Sequence, residues 1–365
     1  MNKRIIFLVA DITATGGIER VITHLASQFV SEGKIVEILS VHRSHHKIIY
    51  PLDERVEVSY VDKKIKPLGS PGSFYKLFFH LLSAIKLNAI LFKKRKSIIV
   101  VNSFPMAIIS FFATFFCHGN IIVEHVYYGY YNKFIQKIRN VLYKRYNCIV
   151  SLTDRDTYLY RDKNLKSITI PNPLSFKPTH LQESRKEKKK IVAVGRLEYQ
   201  KGFDILINAF SAIEKDVREG WTLDIYGEGS LREELERSIS THSLDSIINL
   251  KGNVDNLHEL YYQYDIFIFS SRFEGFGMVL LEAMSCALPC ISFDCPTGPR
   301  EILDNGQYGL LCENGNVEEL KGKLILLMQD KSLRALYSGK SLTRSKHYDV
   351  SCISRLWNDL FNQLK

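Results

Sequence analysis

Two carboxylates, Glu274 and Glu282, stand eight positions apart, and a glycine-bearing loop between them runs into an apolar helical pattern. At the predicted helix start, the backbone N–H groups of Gly277, Met278 and Val279 have no partner within the helix, and such groups bind anions. The segment therefore predicts a site for a phosphate joined to sugars on both sides. One alternative is a glycosidase-like use of the two carboxylates as acid and base. Ordinary pairing of a carboxylate with the helix dipole is the structural alternative.

A second loop carries two cations. Arg196 and Lys201 lie between Gly195 and Gly202, directly after the apolar run that begins at Ile191. Open α/β sheets bind ligands at the carboxyl ends of their strands, and Arg and Lys complement a diphosphate by charge and hydrogen bonding. The pattern predicts that these two side chains hold a diphosphate. A solvated basic loop is the structural alternative.

Two further motifs are less specific. Gly16 and Gly17 follow the first predicted strand, where backbone N–H groups could face an anion, although glycines at such places are usually turn residues. Asp154-Arg155-Asp156 has the pattern of a metal-binding D-x-D. It follows a predicted strand and begins a helical pattern, where Asp is an ordinary helix cap. We interpret the D-x-D as structural and predict no metal site.

Strands and helices alternate along both halves of the chain, which predicts βα repeats and parallel sheets covered on both faces. In the first half, β-branched runs predict strands at 5–10, 35–41, 56–61, 98–102, 121–124, 148–152 and 167–170, with a helix at 17–32. In the second half, strands are predicted at 191–195, 222–226, 248–251, 266–269 and 289–293. Helices are predicted there at 203–215, from Ser230, at 257–263 and at 279–285.

The length of 365 residues exceeds one ordinary hydrophobic core, so two domains of comparable size are predicted. Pro171-Asn172-Pro173 ends the first series of strands, and residues 175–190 are mostly polar and charged. The predicted organisation is a Rossmann-like domain at 1–174, a linker at 175–190 and a second Rossmann-like domain at 191–345. The last segment, 346–365, carries an amphipathic helical pattern.

The composition is typical of a globular protein, with 45% hydrophobic and 24% charged residues. Seven cysteines show no C-x-x-C pair and no regular spacing, which predicts reduced, mostly buried thiols in a cytoplasmic protein. The apolar run near the N-terminus spans six residues before Asp11, which favours a buried strand over a signal peptide. No stretch reaches the uninterrupted ~20 apolar residues of a membrane-spanning helix.

Positive charge is concentrated in the first half. Residues 1–182 carry 26 Lys and Arg against 12 Asp and Glu, a net charge of +14, whereas residues 183–365 carry a net charge of −4. The basic residues stand among aromatic and apolar ones, chiefly at 63–66, 74–82, 93–96 and 133–145. Such a surface suits anionic lipid headgroups. Nucleic-acid binding and a solvated basic face are the alternatives.

The order of these motifs resembles that of the retaining glycosyltransferases of family 4. The motifs that carry the resemblance are, in order, Gly195-Arg196 with Lys201-Gly202, Gly227-Glu228-Gly229, Gly252-Asn253-Val254, and Glu274-Gly275-Phe276-Gly277 with Glu282-Ala283. Ile170-Pro171-Asn172 and the Gly16-Gly17 loop extend the likeness over nearly the whole chain. The resemblance implies an α/β protein of the GT-B fold, in which two Rossmann-like, doubly wound domains face a cleft. The last helix would cross back to the first domain.

The resemblance also implies transfer of a sugar from a nucleotide donor, with no metal or other cofactor. Arg196 and Lys201 would then hold the donor diphosphate, and Glu282 would accept hydrogen bonds from the ribose hydroxyls. Gly16 and Gly17 would let the first domain approach the phosphates.

The remaining implied contacts surround the base and the transferred sugar. Val254 would lie beside the nucleobase, and Glu274 would bind hydroxyls of the sugar. Backbone donors would come from three residues: Phe276, Gly277 and Met278. His125 would contact the sugar or the incoming hydroxyl from the first domain. The predicted catalytic residues are His125, Glu274, Arg196 and Lys201.

By the same resemblance the donor would be a UDP-hexose or UDP-N-acetylhexosamine, with GDP-mannose as the alternative. The acceptor would be a lipid-linked oligosaccharide in bacterial lipopolysaccharide O-antigen, capsule or exopolysaccharide synthesis. The protein would act as a peripheral protein on the cytoplasmic face of the inner membrane. The family mechanism is argued to be front-side displacement, so Glu274 would orient the sugar rather than attack it. A sugar-nucleotide epimerase or phosphorylase and a basic nucleic-acid-binding protein are the remaining alternatives.

Overall fold

The computed structural model of the protein describes residues 3–62, 74–117, 119–176, 187–254 and 256–364, with the backbone alone at 74–81. The chain forms two compact units. The first contains Met1–Ser175 together with Val350–Lys365, and the second contains Phe176–Asp349. The basic segment at 63–66 and most of the predicted linker, 177–186, lie outside the described residues.

A parallel sheet of seven strands forms the centre of the first unit. The strands are β1 Ile5–Val9, β2 Val36–Ser40, β3 Glu57–Tyr60, β4 Ile98–Asn102, β5 Gly119–Glu124, β6 Cys148–Ser151 and β7 Ser167–Thr169. Their order in the sheet is β3-β2-β1-β4-β5-β6-β7. Each strand lies within two residues of its predicted bounds. The central strands could be predicted because helices cover both faces, so that runs such as Ile98–Asn102 are buried throughout.

Among the described residues of the first unit, six helices precede the linker. They are α1 Gly17–Ser31, α2 Phe74–Lys93, α3 Phe104–Ile109, α4 Phe111–Thr114, α5 Lys133–Tyr143 and α6 Asp154–Asp162. Side-chain caps define two of the starts: Asn132 accepts a hydrogen bond from the backbone N–H of Ile135, and Thr153 accepts one from that of Asp156. The prediction that an Asp of the D-x-D caps α6 is therefore wrong, because Thr153 occupies the cap position and both Asp residues lie in the first helical turn.

The second unit is built on a parallel sheet of six strands. They are β8 Lys190–Val194, β9 Thr222–Tyr226, β10 Ile248–Gly252, β11 Ile266–Phe269, β12 Cys290–Asp294 and β13 Leu310–Glu313. Their order is β10-β9-β8-β11-β12-β13. The first five lie within one residue of their predicted bounds. The edge strand β13 was not predicted because its apolar run is short and only one of its four residues, Cys312, is buried.

In the described part of the second unit, eight helices accompany this sheet: α7 Phe203–Ser211, α8 Lys215–Arg218, α9 Arg232–Thr241, α10 Leu257–Tyr261, α11 Met278–Ser285, α12 Pro299–Ile302, α13 Val317–Gln329 and α14 Lys331–Ser345. The single helix predicted at 203–215 is wrong, because α7 ends at Ser211 and α8 starts separately. Ile213 lies between them and is buried in the core, which extended the apolar pattern beyond the true helix end. Helices α12 to α14 were not predicted.

The last helix, α15 Val350–Gln363, belongs to the first unit. Its apolar face packs on α1, where the rings of Phe361 and Phe29 lie 5.5 Å apart, and Trp357 lies 5.6 Å from Phe361. Trp357 is buried. This packing confirms the prediction that the last helix returns to the first domain.

Both sheets reverse their strand order once, next to their first strand. The reversal lies between β1 and β4 in the first unit and between β8 and β11 in the second. Loops that leave the carboxyl ends of such neighbouring strands diverge to opposite faces and leave a crevice, which is where doubly wound sheets bind ligands. The architecture thus confirms two Rossmann-like, doubly wound domains. Among the helices described, none is both long and apolar enough to cross a membrane.

Candidate functional site

The second unit joins two predicted site residues at its sheet reversal. Lys201 follows β8 and Glu274 follows β11, and the Nζ of Lys201 lies 2.6 Å from Oε1 of Glu274. Ser271 Oγ donates to the same oxygen over 2.7 Å. Both charged side chains are largely buried. The ammonium and the carboxylate therefore form one ion pair at the position where the topology predicts a ligand.

Hydrogen bonds tie the loop after β8 to the loop after β11. Ser270 Oγ donates to the carbonyl of Lys201 over 2.8 Å, and the side chain of Gln200 donates to the carbonyl of Phe273 over 2.9 Å. The backbone N–H of Arg272 donates to the carbonyl of Gln200 over 2.8 Å. The two loops consequently hold the Lys201–Glu274 pair in one fixed arrangement.

Arg272, to which the sequence interpretation gave no role, reinforces this junction. Its guanidinium makes two hydrogen bonds to the carboxylate of Asp204, of 2.8 and 2.6 Å, and a third to the carbonyl of Tyr199. It also stacks over the Tyr199 ring at 4.1 Å. Because Asp204 lies in the first turn of α7, Arg272 binds the β11 loop to the helix that follows the β8 loop. The predicted cation Arg196 is exposed and contacts Gln200 through Nη2 at 3.3 Å.

The start of α11 lies directly behind Glu274. Gly277 is the N-cap, with a φ of +104° that favours glycine, and Met278 is the first helical residue. Phe276 is buried. The carbonyl of Glu274 accepts a hydrogen bond from Thr297 Oγ1 over 2.7 Å, which attaches the loop after β12 to the site. The start of α11, whose first N–H groups have no acceptor within the helix, is therefore attached to the same loop as Glu274.

Glu282 and Val254 occupy different environments. Glu282 lies one turn inside α11 and is fully buried, whereas the predicted nucleobase neighbour Val254 follows β10 and is 37% exposed.

Glycines bring the loops after β8, β9 and β10 together. A Cβ at Gly227, where φ is +141°, would lie 1.9 Å from the carbonyl oxygen of Gly195, and the Gly227 N–H donates to the carbonyl of Gly252. Glycines in these motifs thus allow the backbones of neighbouring loops to approach closely at this sheet edge.

In the first unit, His125 follows β5 and contacts Asn102 at the end of β4. The His125 Nε2 lies 3.0 Å from Asn102 Oδ1, while the Asn102 amide nitrogen contacts the carbonyl oxygens of Leu8 and Val100, both at 3.2 Å. Because the amide donates to two carbonyls, its oxygen faces the ring, and Nε2 must carry the proton. Burial lowers the pKa of His125 to about 4. The ring is therefore neutral at pH 7, with Nδ1 as its free acceptor.

Behind His125, a buried ion pair supports the end of β5. Glu124 and Arg139 are both buried, and Arg139 Nη1 lies 3.6 Å from Glu124 Oε2. The guanidinium lies over the rings of three tyrosines, Tyr128, Tyr131 and Tyr160. Tyr143 donates to Glu124 over 2.8 Å. Burial raises the pKa of Glu124 to about 7, and the nearby Arg139 acts in the opposite direction.

The glycine loop of the first unit carries an anion of its own. Gly16 caps α1, and a Cβ there would lie 2.1 Å from Oε2 of Glu19. Burial raises the pKa of Glu19, while hydrogen bonds from the backbone of Gly16 and of Glu19 itself lower it. A phosphate at this helix start would therefore compete with Glu19. Gly17 is exposed, and a Cβ there would meet no atom within 4 Å.

The D-x-D residues are engaged in the fold of the first unit. Asp156 is buried and accepts a hydrogen bond from the backbone N–H of Tyr128 over 2.9 Å. Asp154 accepts one from Thr169 Oγ1 over 2.5 Å. Within the described part of the chain, no cluster of three or more His, Cys, Asp and Glu side chains has the geometry of a metal site.

Six of the seven cysteines are buried and all are free.

Comparison with known proteins shows what the second unit resembles. Residues 177–341 match the family model of the glycosyl transferases group 1. Several relatives match over nearly the whole chain, and two of them have informative names. The amylovoran biosynthesis glycosyltransferase AmsD of Erwinia amylovora is 26% identical, over 98% of this chain and 99% of its own.

The second relative is the GalNAc-α-(1→4)-GalNAc-α-(1→3)-diNAcBac-PP-undecaprenol α-1,4-N-acetyl-D-galactosaminyltransferase of Campylobacter jejuni, 26% identical over 99% of each chain. Among solved structures, TarM superimposes with a TM-score of 0.80 at 16% identity, covering 99% of both chains. Anabaena HepE in complex with UDP and glucose superimposes with a TM-score of 0.78 at 17% identity, covering 99% of this chain and 100% of its own. These likenesses confirm the GT-B fold.

The second unit brings most of the predicted donor residues to one sheet edge. Lys201, Glu274 and the start of α11 meet there, with Arg196 on the same loop as Lys201. The first unit places His125 and the Gly16-Gly17 loop at the carboxyl end of its own sheet. Four supporting residues had no predicted role: Asn102, Arg139, Ser271 and Arg272. Asn102 is the last residue of β4 and Arg272 lies in the loop that leaves β11, and that position at the end of an apolar strand was the available signal.

Proposed function

We propose that the protein is a retaining, metal-independent glycosyltransferase that transfers a hexose or an N-acetylhexosamine from a UDP-sugar to a lipid-linked oligosaccharide. The reaction would contribute to bacterial O-antigen, capsule or exopolysaccharide synthesis, at the cytoplasmic face of the inner membrane. The observation that carries the proposal is the Lys201–Glu274 ion pair. It combines a phosphate-binding group and a hydroxyl-binding group at the sheet reversal of a group 1 glycosyltransferase domain.

The ion pair can serve both ends of a sugar–phosphate bond. Ser271 and Lys201 both contact Oε1 of Glu274, so Oε2 is the oxygen that would accept a sugar hydroxyl. Lys201 has three N–H donors and uses one on Glu274, which leaves others for a phosphate. Fixed cations and helix N–H groups stabilise a leaving diphosphate electrostatically without a metal ion. Arg196, which is exposed on the same loop, would add a second positive charge.

Glu274 would orient the sugar rather than act as the nucleophile. Its Oε1 already accepts hydrogen bonds from the Lys201 ammonium over 2.6 Å and from Ser271 over 2.7 Å, which holds the carboxylate in place as a binding group. Front-side displacement, in which the leaving phosphate helps to deprotonate the acceptor, fits a site that holds the leaving group firmly. The neutral His125, with Nδ1 as an acceptor, would contact a hydroxyl of the sugar or of the acceptor.

Donor and acceptor are inferred from the relatives. HepE was solved with UDP and glucose, which supports a UDP-sugar donor. The Campylobacter relative is named for a PP-undecaprenol-linked saccharide, and AmsD is named for amylovoran biosynthesis. These two names support a lipid-linked acceptor and a role in polysaccharide synthesis.

The proposal is tested by calorimetric binding of UDP and of a panel of UDP- and GDP-sugars, followed by donor hydrolysis. We expect UDP and one UDP-sugar to bind, and Arg196→Ala and Glu282→Gln to weaken that binding. Lys331→Ala, an exposed lysine at the start of α14, is the matched control and should bind as the parent does. If no nucleotide binds, or if both site variants bind normally, the glycosyltransferase proposal is wrong.

The stereochemistry needs a separate measurement. With a UDP-α-sugar donor and a lipid-linked acceptor extract, the anomeric configuration of the product is read by NMR. An α-linked product supports retention, whereas a β-linked product contradicts it. Conversion of the donor into an epimeric UDP-sugar without an added acceptor would instead indicate an epimerase.

A further inference from the structure

The first unit has an unusual distribution of charge along its middle segment. Residues 63–153 contain fourteen Lys and Arg but a single acidic residue, Glu124. Glu124 is buried against Arg139 and contributes nothing to the surface. Apart from Glu124, any surface formed by this segment therefore carries only positive or neutral side chains, which attracts anions.

Helix α2 exposes apolar side chains on one side. Leu82, Ile85 and Phe92 are 37%, 60% and 45% exposed, and their spacing places them on one helical face. The other face is buried in the core through Leu87 and Leu91. An apolar stripe of this kind on the outside of a helix is unexpected unless another surface covers it.

The neighbouring helix α4 extends the stripe with phenylalanines. Phe112 is 73% exposed, and Phe115 and Phe116 just beyond the helix are more than half exposed. The ring of Phe116 lies 5.7 Å from that of Phe92 on α2 and 5.0 Å from that of Phe115. The exposed rings therefore form one connected surface rather than isolated side chains.

Helix α5 continues the same surface. Phe134, Ile138 and Val141 are exposed at helical spacing, and the next position on this face is Arg145. The Arg145 guanidinium lies over the rings of Phe111 and Phe115, at 4.5 and 4.9 Å. Arg145 thus connects the stripe of α5 with the phenylalanines of α4. Three exposed lysines, Lys133, Lys137 and Lys144, accompany the stripe.

We propose that this surface, which we call the aromatic patch, docks on an anionic phospholipid bilayer. We define the aromatic patch by its exposed residues Leu82, Ile85, Phe92, Phe112, Phe115, Phe116, Phe134, Ile138, Val141 and Arg145. Apolar side chains would enter the interface between headgroups and acyl chains, and the surrounding Lys and Arg would contact anionic headgroups. The inference rests on the lipid-linked acceptor of the proposed function, because docking would bring the enzyme to that acceptor.

The chemistry of the patch favours lipid over nucleic acid. Single-stranded nucleic acid stacks on aromatic rings, but Ile85, Ile138 and Val141 offer no ring on which a base could stack. Aliphatic and aromatic side chains both partition into a bilayer interface. In the basic segment 93–96, Lys94 is bound to Glu37 at 2.6 Å. The other basic residues of this segment, including Arg95, are exposed to solvent.

The test is co-sedimentation of the full chain with vesicles of phosphatidylglycerol and of phosphatidylcholine. We expect binding to the anionic vesicles alone, and a loss of about tenfold or more in the double variant Phe112→Ser/Phe134→Ser. Lys137→Glu should weaken binding more than about fivefold, since one basic residue near an anionic surface contributes about that factor. Leu326→Ser/Leu336→Ser and Lys331→Glu, at exposed positions of α13 and α14, are the matched controls and should bind normally.

Circular dichroism and UDP binding on the same preparations separate docking from folding and from the enzymatic proposal. A patch variant that binds UDP but not vesicles supports docking. A parent that binds UDP but neither kind of vesicle overturns the docking inference and leaves the proposed function intact. Three other results would also overturn it: vesicle binding unchanged in the patch variants, binding of single-stranded nucleic acid that the patch variants abolish, and a dimer in light scattering that the patch variants dissociate.

Discussion

The ammonium of Lys201 lies 2.6 Å from Oε1 of Glu274, so two residues with separate predicted roles form a single ion pair. Lys201 was expected to hold the phosphate and Glu274 the sugar. In the structure each side chain is the other's partner, in surroundings that exclude most of the solvent. A buried pair of this kind is strongly coupled, because removing one partner leaves the other charge without compensation.

Replacing Lys201 by Met should therefore destabilise the second unit by about 3–5 kcal/mol, the cost of a buried carboxylate left unpaired. Restoring neutrality with Lys201→Met/Glu274→Gln should recover much of this loss. The chain has two tryptophans, Trp221 in the second unit and Trp357 in the first. Urea unfolding followed by fluorescence in a Trp357→Phe background thus reports on the second unit. Additive losses in the double variant would contradict the coupling.

Gly17→Ala should weaken UDP-sugar binding by about tenfold or more, equivalent to about 1.4 kcal/mol, if phosphates approach the start of α1. An added Cβ meets no atom of the chain within 4 Å, so the thermal stability should not fall. Gly322→Ala in α13 is the matched control, since its added Cβ also meets nothing and it lies within another helix. Normal donor affinity in Gly17→Ala would show that the phosphates do not approach this glycine.

The strands and the ends of the strands were predictable because burial on both faces leaves long apolar runs in the sequence. Residues 98–102 and 266–269 are such runs, and both are strands over the predicted range. Residues after these runs, such as Glu274, could be assigned to the ligand-binding edge for the same reason. The edge strand β13 and the break after α7 lack a comparable pattern.

The contacts within the site were not predictable. Lys201 and Glu274 are separated by 73 positions, and they meet because β8 and β11 are neighbours in the sheet. The order of strands in the sheet depends on how helices and strands pack together. The hydrophobic periodicity of a single segment carries no information about that order. Asn102 and His125 meet for the same reason, as ends of the adjacent strands β4 and β5. The position of the Glu19 carboxylate beside Gly16 depends on the side-chain rotamer of Glu19, which the sequence pattern does not specify.

Removing divalent metal ions with EDTA should leave the rate of sugar transfer unchanged. The charge on a leaving diphosphate would be balanced by Lys201, Arg196 and the N–H groups of α11, and these need no metal. Asp154→Asn should be equally active, because Asp154 is bound to Thr169 and lies in the first turn of α6. Loss of activity in EDTA that is restored by Mg²⁺ would contradict metal independence.

The acid side of the stability profile should depend on His125. Burial lowers its pKa from 6.5 to about 4 in the folded protein. Above pH 6.5 the ring is neutral in both states and the titration has no effect. Between pH 6.5 and about 4 the unfolded chain binds a proton that the folded chain does not, so the free energy of unfolding falls as the pH falls. The total loss from this residue should be about 3 kcal/mol.

The neighbouring Glu124 acts in the opposite direction, so the profile of the parent alone cannot isolate His125. Burial raises the pKa of Glu124 from 4.5 to about 7, so that its contribution to stability falls as the pH rises through this range. Glu124 is present in both the parent and His125→Gln, and the difference between them removes its effect. Urea unfolding in a Trp221→Phe background, where Trp357 reports on the first unit, should show His125→Gln gaining stability over the parent from pH 6.5 to 4. A constant difference across that range would mean that His125 titrates normally and is not the neutral acceptor that Asn102 holds in place.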